Sequence, residues 1–237
     1  MARSPVPHPS DVVALARAVA VRPASVVRAA RAGVVRMRRA VTRSPRSLFL
    51  RELVAQPGSV GAVCASSPQL AARMAALVDL AADGLVVELG GGTGVITAAL
   101  LAHGVPPGRL VVVEQSERLA THLQRRFAAV RVLQGDAADL PMMLARLGDG
   151  GAPPRVGHIV SGLPLLSIPQ DCRQRILQAG AAVLAPGGRL LQFTYALRGA
   201  SPWQRAGLVP ERHERVLANL PPARIDVLTR APARRPH

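Results

Sequence analysis

From about residue 68 onward, short apolar runs along the chain alternate with longer stretches of helical periodicity. The apolar runs predict five β-strands, at Leu85–Leu89, Arg109–Glu114, Val130–Gln134, Val156–Val160 and Arg189–Thr194. The intervening patterns predict helices over 68–80, Val95–His103, Ser116–Phe127, Ala138–Leu147 and Gln170–Leu184. Two closing strands, Glu214–Leu220 and Arg224–Arg230, are expected around Pro221-Pro222. Strands separated by helices form βαβ units, so the pattern predicts a doubly wound α/β domain with a mostly parallel, seven-stranded sheet.

The N-terminal part has a different character. Residues 1–47 are predicted to form a basic helical arm, and residues 48–237 the α/β domain. Within the arm, residues 24–41 place small apolar side chains on one helical face and arginines on the other. Eleven arginines and one acidic residue, Asp11, lie in residues 1–51, which carry most of the net charge of +16. Such a segment is typical of proteins that meet a polyanion, either an anionic membrane surface or nucleic acid.

Cysteine content and hydropathy exclude several classes of protein. Cys64 and Cys172 are too few for a disulfide framework or a four-ligand metal site, so no metal is expected. No uncharged apolar run reaches the roughly 18 residues of a membrane-spanning helix. These features predict a cytoplasmic protein without a transmembrane helix.

The strongest local motif is the segment 88–94, Glu-Leu-Gly-Gly-Gly-Thr-Gly, which follows a predicted strand and opens a predicted helix. Glycine lets a backbone turn sharply and approach a ligand closely. In a dinucleotide-binding fingerprint that starts at Gly90, the last glycine would fall on Val95. The spacing instead resembles motif I of class I S-adenosylmethionine methyltransferases, which implies S-adenosylmethionine as the cofactor. The resemblance places four residues around its methionine part: Glu88, Gly90, Gly92 and Gly94.

Acidic residues follow the next two predicted strands. Glu114 ends the second strand, and Asp136 follows the third in Gly135-Asp136-Ala137. In the class I methyltransferases that motif I resembles, the first acid accepts both ribose hydroxyls and the second accepts from the adenine amino group. The resemblance therefore implies that Glu114, Asp136 and Ala137 bind the cofactor.

The loop after the fourth predicted strand is expected to face the transferable methyl group, because ligands of such folds bind at the carboxyl ends of the strands. It reads Ser161-Gly162-Leu163-Pro164-Leu165. We expect Ser161 to contact the cofactor, and Gly162, Leu163 and Pro164 to line the substrate loop. The ribosomal RNA adenine dimethyltransferases carry an aromatic residue at the position of Leu165, which stacks on the flipped base. Leu165 therefore argues against an RNA substrate.

A more specific resemblance covers residues 48–230. The segments that carry it are 161–166 (Ser-Gly-Leu-Pro-Leu-Leu), 191–195 (Leu-Gln-Phe-Thr-Tyr) and 219–223 (Asn-Leu-Pro-Pro-Ala). They look like the bacterial phospholipid N-methyltransferases, which methylate phosphatidylethanolamine and whose close relatives methylate ornithine lipids. The resemblance implies methylation of a lipid amine head group, phosphatidylethanolamine first and ornithine lipid second. It also implies a peripheral location on the inner face of the membrane, where the basic arm would meet anionic lipids.

An alkyl ammonium, with a pKa near that of lysine, must lose a proton before it can attack a methyl group. No side chain stands out as the base. Tyr195 is a candidate for orienting the amine and for a cation–π contact with it, and Ser161 for a hydrogen bond to the head group. Two alternatives stay open. One is an adenine-N6-type RNA methyltransferase, for which the basic arm would contact phosphates. The other is a small-molecule methyltransferase or a non-catalytic cofactor-binding module.

Overall fold

The computed structural model describes residues 67–148, 152–217, 219 and 221–231. The predicted arm of residues 1–47 and residues 48–66 of the predicted domain lie outside these ranges. The described chain starts at helix α1 (Pro68–Ala75), which Ser67 caps by accepting a hydrogen bond from the Leu70 amide at 3.1 Å. Pro68 occupies the first helical position, where its missing N–H costs nothing.

Seven strands form one sheet in the order β3-β2-β1-β4-β5-β7-β6. They are β1 (Leu85–Leu89), β2 (Leu110–Glu114), β3 (Arg131–Gln134), β4 (Val156–Ser161), β5 (Leu184–Thr194), β6 (Val209–Val216) and β7 (Ala223–Thr229). Strands β1 to β5 are parallel, whereas β7 is antiparallel to both β5 and β6. The predicted doubly wound, mostly parallel sheet of seven strands is confirmed.

The connections between strands are helical. After α1 they are α2 (Val95–His103), α3 (Glu117–Arg126), α4 (Leu140–Ala145) and α5 (Gln170–Val183). Short 3₁₀ helices lie at Pro107–Arg109, Ala137–Asp139, Leu165–Ser167 and Pro202–Ala206. In the part of the chain that the structure describes, no helix is long and apolar enough to span a bilayer.

Helices cover both faces of the sheet, so that the core has two layers. On the first, which we call face A, the core contains side chains of α1, α2 and α3. On the second, face B, it contains side chains of α4, α5 and the 3₁₀ helix around Trp203. All five residues of β2 are buried because successive side chains enter the two cores alternately.

Strand β1 pairs with β2 on one side and with β4 on the other. The connection that leaves β1 leads to β2 on one side, and the connection that leaves β4 leads to β5 on the other, so the switch point of the sheet lies between β1 and β4. The carboxyl ends of β1, β2, β4 and β5 therefore meet at one edge, here called the carboxyl edge. In open α/β sheets, ligands bind at this place.

A buried histidine links the loop after α1 to the sheet. His158 lies in β4 with 2% of its surface exposed, and its Nε2 accepts a hydrogen bond from the Asp79 amide at 3.2 Å. Burial lowers the pKa of His158 to about 4, although the charge of Asp79 opposes the shift. The ring is therefore neutral near pH 7 and serves the fold.

Two strands differ from the pattern-based expectation. Strand β5 begins at Leu184 rather than at Arg189. The segment before Arg189 is part of the strand because the Gly187 amide donates to the Arg230 carbonyl and the Arg230 amide donates to the Gly188 carbonyl. Strand β6 runs over Val209–Val216, earlier than the expected Glu214–Leu220. It is an outer strand with mostly exposed side chains, so its sequence lacks the apolar signal used to find the others.

Candidate active site

The glycine-rich segment 90–94 connects β1 to α2 at the carboxyl edge. Leu163 packs against Gly90 so closely that a β-carbon there would lie 2.8 Å from Leu163 Cδ2. Gly92 has φ of 55°, and a β-carbon on it would meet no atom within 4 Å. Gly94, with φ of 83°, opens α2 without a side-chain cap. The loop therefore presents bare backbone to open space at Gly92 and is packed at its ends.

Glu114, the last residue of β2, holds this loop in place. Its Oε2 accepts a hydrogen bond from the Gly92 amide at 2.8 Å, and its Oε1 accepts from the Ser116 amide at 2.9 Å. The side chain is 6% exposed. A carboxylate offers about four acceptor positions, so roughly two stay available for a ligand.

Glu88, in β1, is fully buried beside α2. Thr97 Oγ1 donates to its Oε2 at 2.7 Å, while Oε1 has no hydrogen-bond partner among the described residues. Burial, reinforced by the charge of Glu114 and opposed by the Thr97 bond, raises the pKa of Glu88 to about 8. A cation beside Oε1 would favour the ionised carboxylate and lower this pKa.

The third acidic residue follows β3. Asp136 precedes the 3₁₀ helix Ala137–Asp139, and its Oδ1 accepts a hydrogen bond from the Ala138 amide at 2.9 Å. Asp136 is half-buried, whereas the Ala137 side chain is buried in the core of face B. Only the backbone of Ala137 would therefore be offered to a ligand.

The loop after β4 lies directly on the glycine loop. The Gly162 amide donates to the Leu89 carbonyl at 2.8 Å, and Ser161 Oγ accepts from the Leu163 amide at 3.4 Å. Pro164 forms an inverse γ-turn with φ of −78° and ψ of 65°, closed by a hydrogen bond from the Leu165 amide to the Leu163 carbonyl. This turn buries Leu165 in the core of face B and leaves Leu166 exposed.

The two residues predicted to act in catalysis belong to opposite faces of the sheet. Ser161 is fully buried and aligns with Leu89 of the face B core. Tyr195 follows β5 and packs on the face A core, with its ring 5.7 Å from that of Phe193 in an edge-to-face contact. Both lie at the carboxyl edge, and their catalytic roles stay predictions.

Sequence analysis missed two polar residues that support the site, Thr97 and Gln192. Gln192 Nε2 donates to the Leu163 carbonyl at 3.1 Å, and Gln192 Oε1 accepts from Trp203 Nε1 at 3.1 Å. Thr97 holds Glu88. The available signal was a polar residue flanked by apolar residues in a helix or strand, since buried polar groups need partners.

These residues fit S-adenosylmethionine, whose methionine part carries an ammonium group and whose ribose carries two hydroxyls. The unpartnered Oε1 of Glu88 could accept from the ammonium, and the remaining lone pairs of Glu114 from the hydroxyls. The open space at Gly92 leaves room for the chain between them. Asp136 is the residue that could bind the base.

We predict that Glu88→Gln stabilises the ligand-free protein at high pH only. In the wild type the pKa of Glu88 lies above its ordinary value of 4.5. The contribution of Glu88 to the free energy of unfolding is therefore most favourable below pH 4.5 and becomes less favourable as the pH rises to about 8. Urea unfolding should show a gain for the variant on the order of 5 kcal/mol at pH 9, and little change near pH 4.5. Glu117→Gln, an exposed site in the first turn of α3, is the control and should show no such difference. A gain independent of pH would contradict the assignment.

Comparisons with known proteins identify the family and the fold. A family model described as a methyltransferase domain matches residues 86–188. The ornithine lipid N-methyltransferase of Singulisphaera acidiphila is 32% identical over 150 residues, which cover 62% of this chain and 76% of that protein. A probable ribosomal RNA small subunit methyltransferase A of Methanospirillum hungatei is 36% identical over 83 residues, which cover 32% of this chain and 31% of that protein.

A solved structure with a similar fold is the 1,6-didemethyltoxoflavin-N1-methyltransferase of Burkholderia thailandensis, with 1,6-didemethyltoxoflavin and S-adenosylhomocysteine bound. It aligns with a TM-score of 0.57 and 19% identity, covering 82% of this chain and 89% of that one. Together, the family match, the 76% coverage of the lipid enzyme and the shared fold identify both cofactor and family. The chain is a class I S-adenosylmethionine-dependent methyltransferase and belongs to the bacterial lipid N-methyltransferase family that includes the ornithine lipid N-methyltransferase.

Proposed function

We propose that the protein methylates the amine head group of a membrane lipid, either ornithine lipid or phosphatidylethanolamine. The observation that carries this proposal is the 32% identity to an ornithine lipid N-methyltransferase over 76% of that protein's length. This relative favours ornithine lipid as the first substrate to test, ahead of phosphatidylethanolamine. The proposal includes a peripheral association with an anionic membrane surface through residues 1–47, which lie outside the described part of the chain.

S-adenosylmethionine supplies an electrophilic methyl group in this reaction. The protein's own contribution is to bind the cofactor and the acceptor amine, to align them, and to exclude water from them. In the proposed site, Glu114 and the backbone at Gly92 fix one end of the ligand and Glu88 the other. Glu88 and Glu114 lie at or next to the carboxyl ends of β1 and β2, which pair with each other, and this pairing limits how far the two carboxyl groups can move apart.

The acceptor amine would enter over the loop after β4. Gly162, Leu163 and Pro164 form the wall next to the glycine loop. We propose that the ring of Tyr195 faces the amine, which gains positive charge as it is methylated, and contributes a cation–π contact. Ser161 is proposed to assist through its hydroxyl, which already accepts from the Leu163 amide. The ammonium proton is lost to solvent before transfer, since no described residue is placed as an evident base.

RNA methylation is the second candidate function, because of the match to a ribosomal RNA methyltransferase. That match covers only 31% of the relative. In this chain Leu165 is buried at the position where a base-stacking aromatic would be needed, and Leu166 offers no aromatic ring. We therefore rank RNA below lipid.

The lipid assay tests the proposal directly. Purified full-length protein is incubated with methyl-labelled S-adenosylmethionine and vesicles containing ornithine lipid, phosphatidylethanolamine, or phosphatidylcholine alone, with ribosomal RNA in a parallel reaction. We expect label in mono- or further methylated aminolipid and none with phosphatidylcholine. Label in RNA, or no labelled lipid while the cofactor still binds, would overturn the lipid assignment.

Gly92→Ala should weaken cofactor binding without unfolding the protein. The β-carbon would fill the open space beside the loop, and we expect the Kd for S-adenosylhomocysteine to rise at least tenfold, about 1.4 kcal/mol, by calorimetry. Gly207→Ala is the matched control, because Gly207 also has a positive φ, 83°, and open space beside it. Both variants should lose about 1 kcal/mol of stability through backbone strain. Equal binding by the two variants would show that the ligand does not pass Gly92.

A further inference from the structure

A cavity of about 420 Å³ lies beside the carboxyl end of β5. Its walls are residues 197–201, which follow β5, and the antiparallel pair of β6 and β7. None of the residues assigned above to the cofactor lines it. No motif in the sequence predicted this cavity.

The floor of the cavity contains a buried ion pair between Arg224 and Asp226. Arg224 is 6% exposed and Asp226 7%, and Arg224 Nε lies 2.7 Å from Asp226 Oδ1. Arg224 Nη2 also donates to Asp226 Oδ2 at 3.1 Å. Nε, although close to Oδ1, makes no hydrogen bond of proper geometry, so the pair is held by the Nη2 bond and by charge attraction. It leaves no net charge on the floor.

The rim is positively charged. Glu211, the other acidic residue of the lining, forms a two-point contact with Arg189, which is not part of the lining. Arg198 and Arg215 are exposed at the rim, and neither pairs with an acidic side chain of the described chain. Guanidinium groups bind phosphate and carboxylate through paired N–H donors, so the rim is suited to an oxyanion.

A second observation points to a ligand in the same place. Ser201 is 5% exposed and lines the cavity, yet its hydroxyl has no hydrogen-bond partner among the described residues. A buried polar group without a partner costs stability, and such a group in a native structure calls for an explanation. A bound oxyanion would accept the Ser201 hydrogen bond.

The cavity also lies next to the proposed methyl-transfer site. Arg224 pairs across the sheet with Thr194, the last residue of β5, and Asp226 pairs with Gln192. Gln192 in turn binds the carbonyl of Leu163, the residue packed on Gly90. Leu197, 37% exposed, adds an apolar surface to the rim.

We propose that this cavity binds the oxyanion of the lipid head group that carries the acceptor amine. This inference rests on the proposed function. In both candidate lipids a short carbon chain separates the free amine from an oxyanion, the phosphate in phosphatidylethanolamine and the carboxylate in ornithine lipid. Arg198, Arg215 and Ser201 hold this group, so that the amine reaches the carboxyl edge beside the loop after β4.

The test compares acceptors with and without the oxyanion in neutral detergent micelles. The acceptors are phosphatidylethanolamine, ornithine lipid and hexadecylamine, which has an amine but no oxyanion. For the double variant Arg198→Gln/Arg215→Gln, KM should rise about tenfold or more for the lipid that places its oxyanion here, with kcat nearly unchanged. KM for hexadecylamine should stay unchanged. The lipid with the larger rise identifies phosphate or carboxylate as the bound group.

Arg131→Gln is the matched control, since Arg131 is exposed at the amino end of β3, the outer strand on the other side of the sheet. Equal KM changes for all three acceptors, or the same KM change in the control variant, would show that the effect comes from the overall surface charge. Either result would overturn the proposal. Ser201→Ala supplies an independent check. It should weaken lipid binding several-fold while leaving the ligand-free protein as stable or more stable, because an unpartnered hydroxyl is removed.

A binding measurement separates this inference from the proposed function. Calorimetry with glycerophosphoethanolamine and with Nα-acetylornithine needs no turnover. If the wild type binds one of them and the double variant does not, the oxyanion site stands even where no lipid is methylated. If lipid is methylated but neither compound binds and the arginine variants behave as wild type, the cavity assignment is wrong.

Discussion

The carboxylate of Glu114 accepts hydrogen bonds from the amides of Gly92 and Ser116, and so joins the loop after β1 to the end of β2. Glycine-rich backbone has many conformations available, and without such an anchor its ordering would cost more entropy. Burial raises the pKa of the neighbouring Glu88, and the charge of the Glu114 carboxylate adds to that shift. A cationic group placed beside Glu88 would favour its ionised form, which is the proposed link between this loop and the charge of the cofactor.

A second layer of contacts joins the cofactor loop to the substrate side. Leu163 fills the space left by the missing side chain of Gly90, and Gln192 holds Leu163 while its own position is set by Trp203. Each of these residues sits on or next to a strand of the same sheet. Geometry at the proposed point of methyl transfer therefore depends on packed, hydrogen-bonded strands rather than on a free loop. The oxyanion cavity extends this arrangement by one strand.

The central strands and the glycine loop were predictable because burial on both faces imposes continuous apolar runs, and the loop needs glycine where φ is positive. Strand β6 was misplaced because an outer strand with exposed side chains carries no such constraint. The lining of the oxyanion cavity was not predictable from the sequence. It combines Ser201, from the loop after β5, with the Arg224–Asp226 pair of β7, and only the register of the strands brings these residues together. Leu165 belongs to the loop that was expected to face the methyl group, yet the turn at Pro164 buries its side chain, and the sequence carries no signal for that turn.

The most direct test of the account is a crystal structure of the full chain with S-adenosylhomocysteine. The account predicts that the ligand's ammonium contacts Glu88 Oε1 and its ribose contacts Glu114, while Glu114 keeps its bonds to the amides of Gly92 and Ser116. A ligand bound elsewhere, or a Glu114 side chain that releases the Gly92 amide to make room, would contradict it.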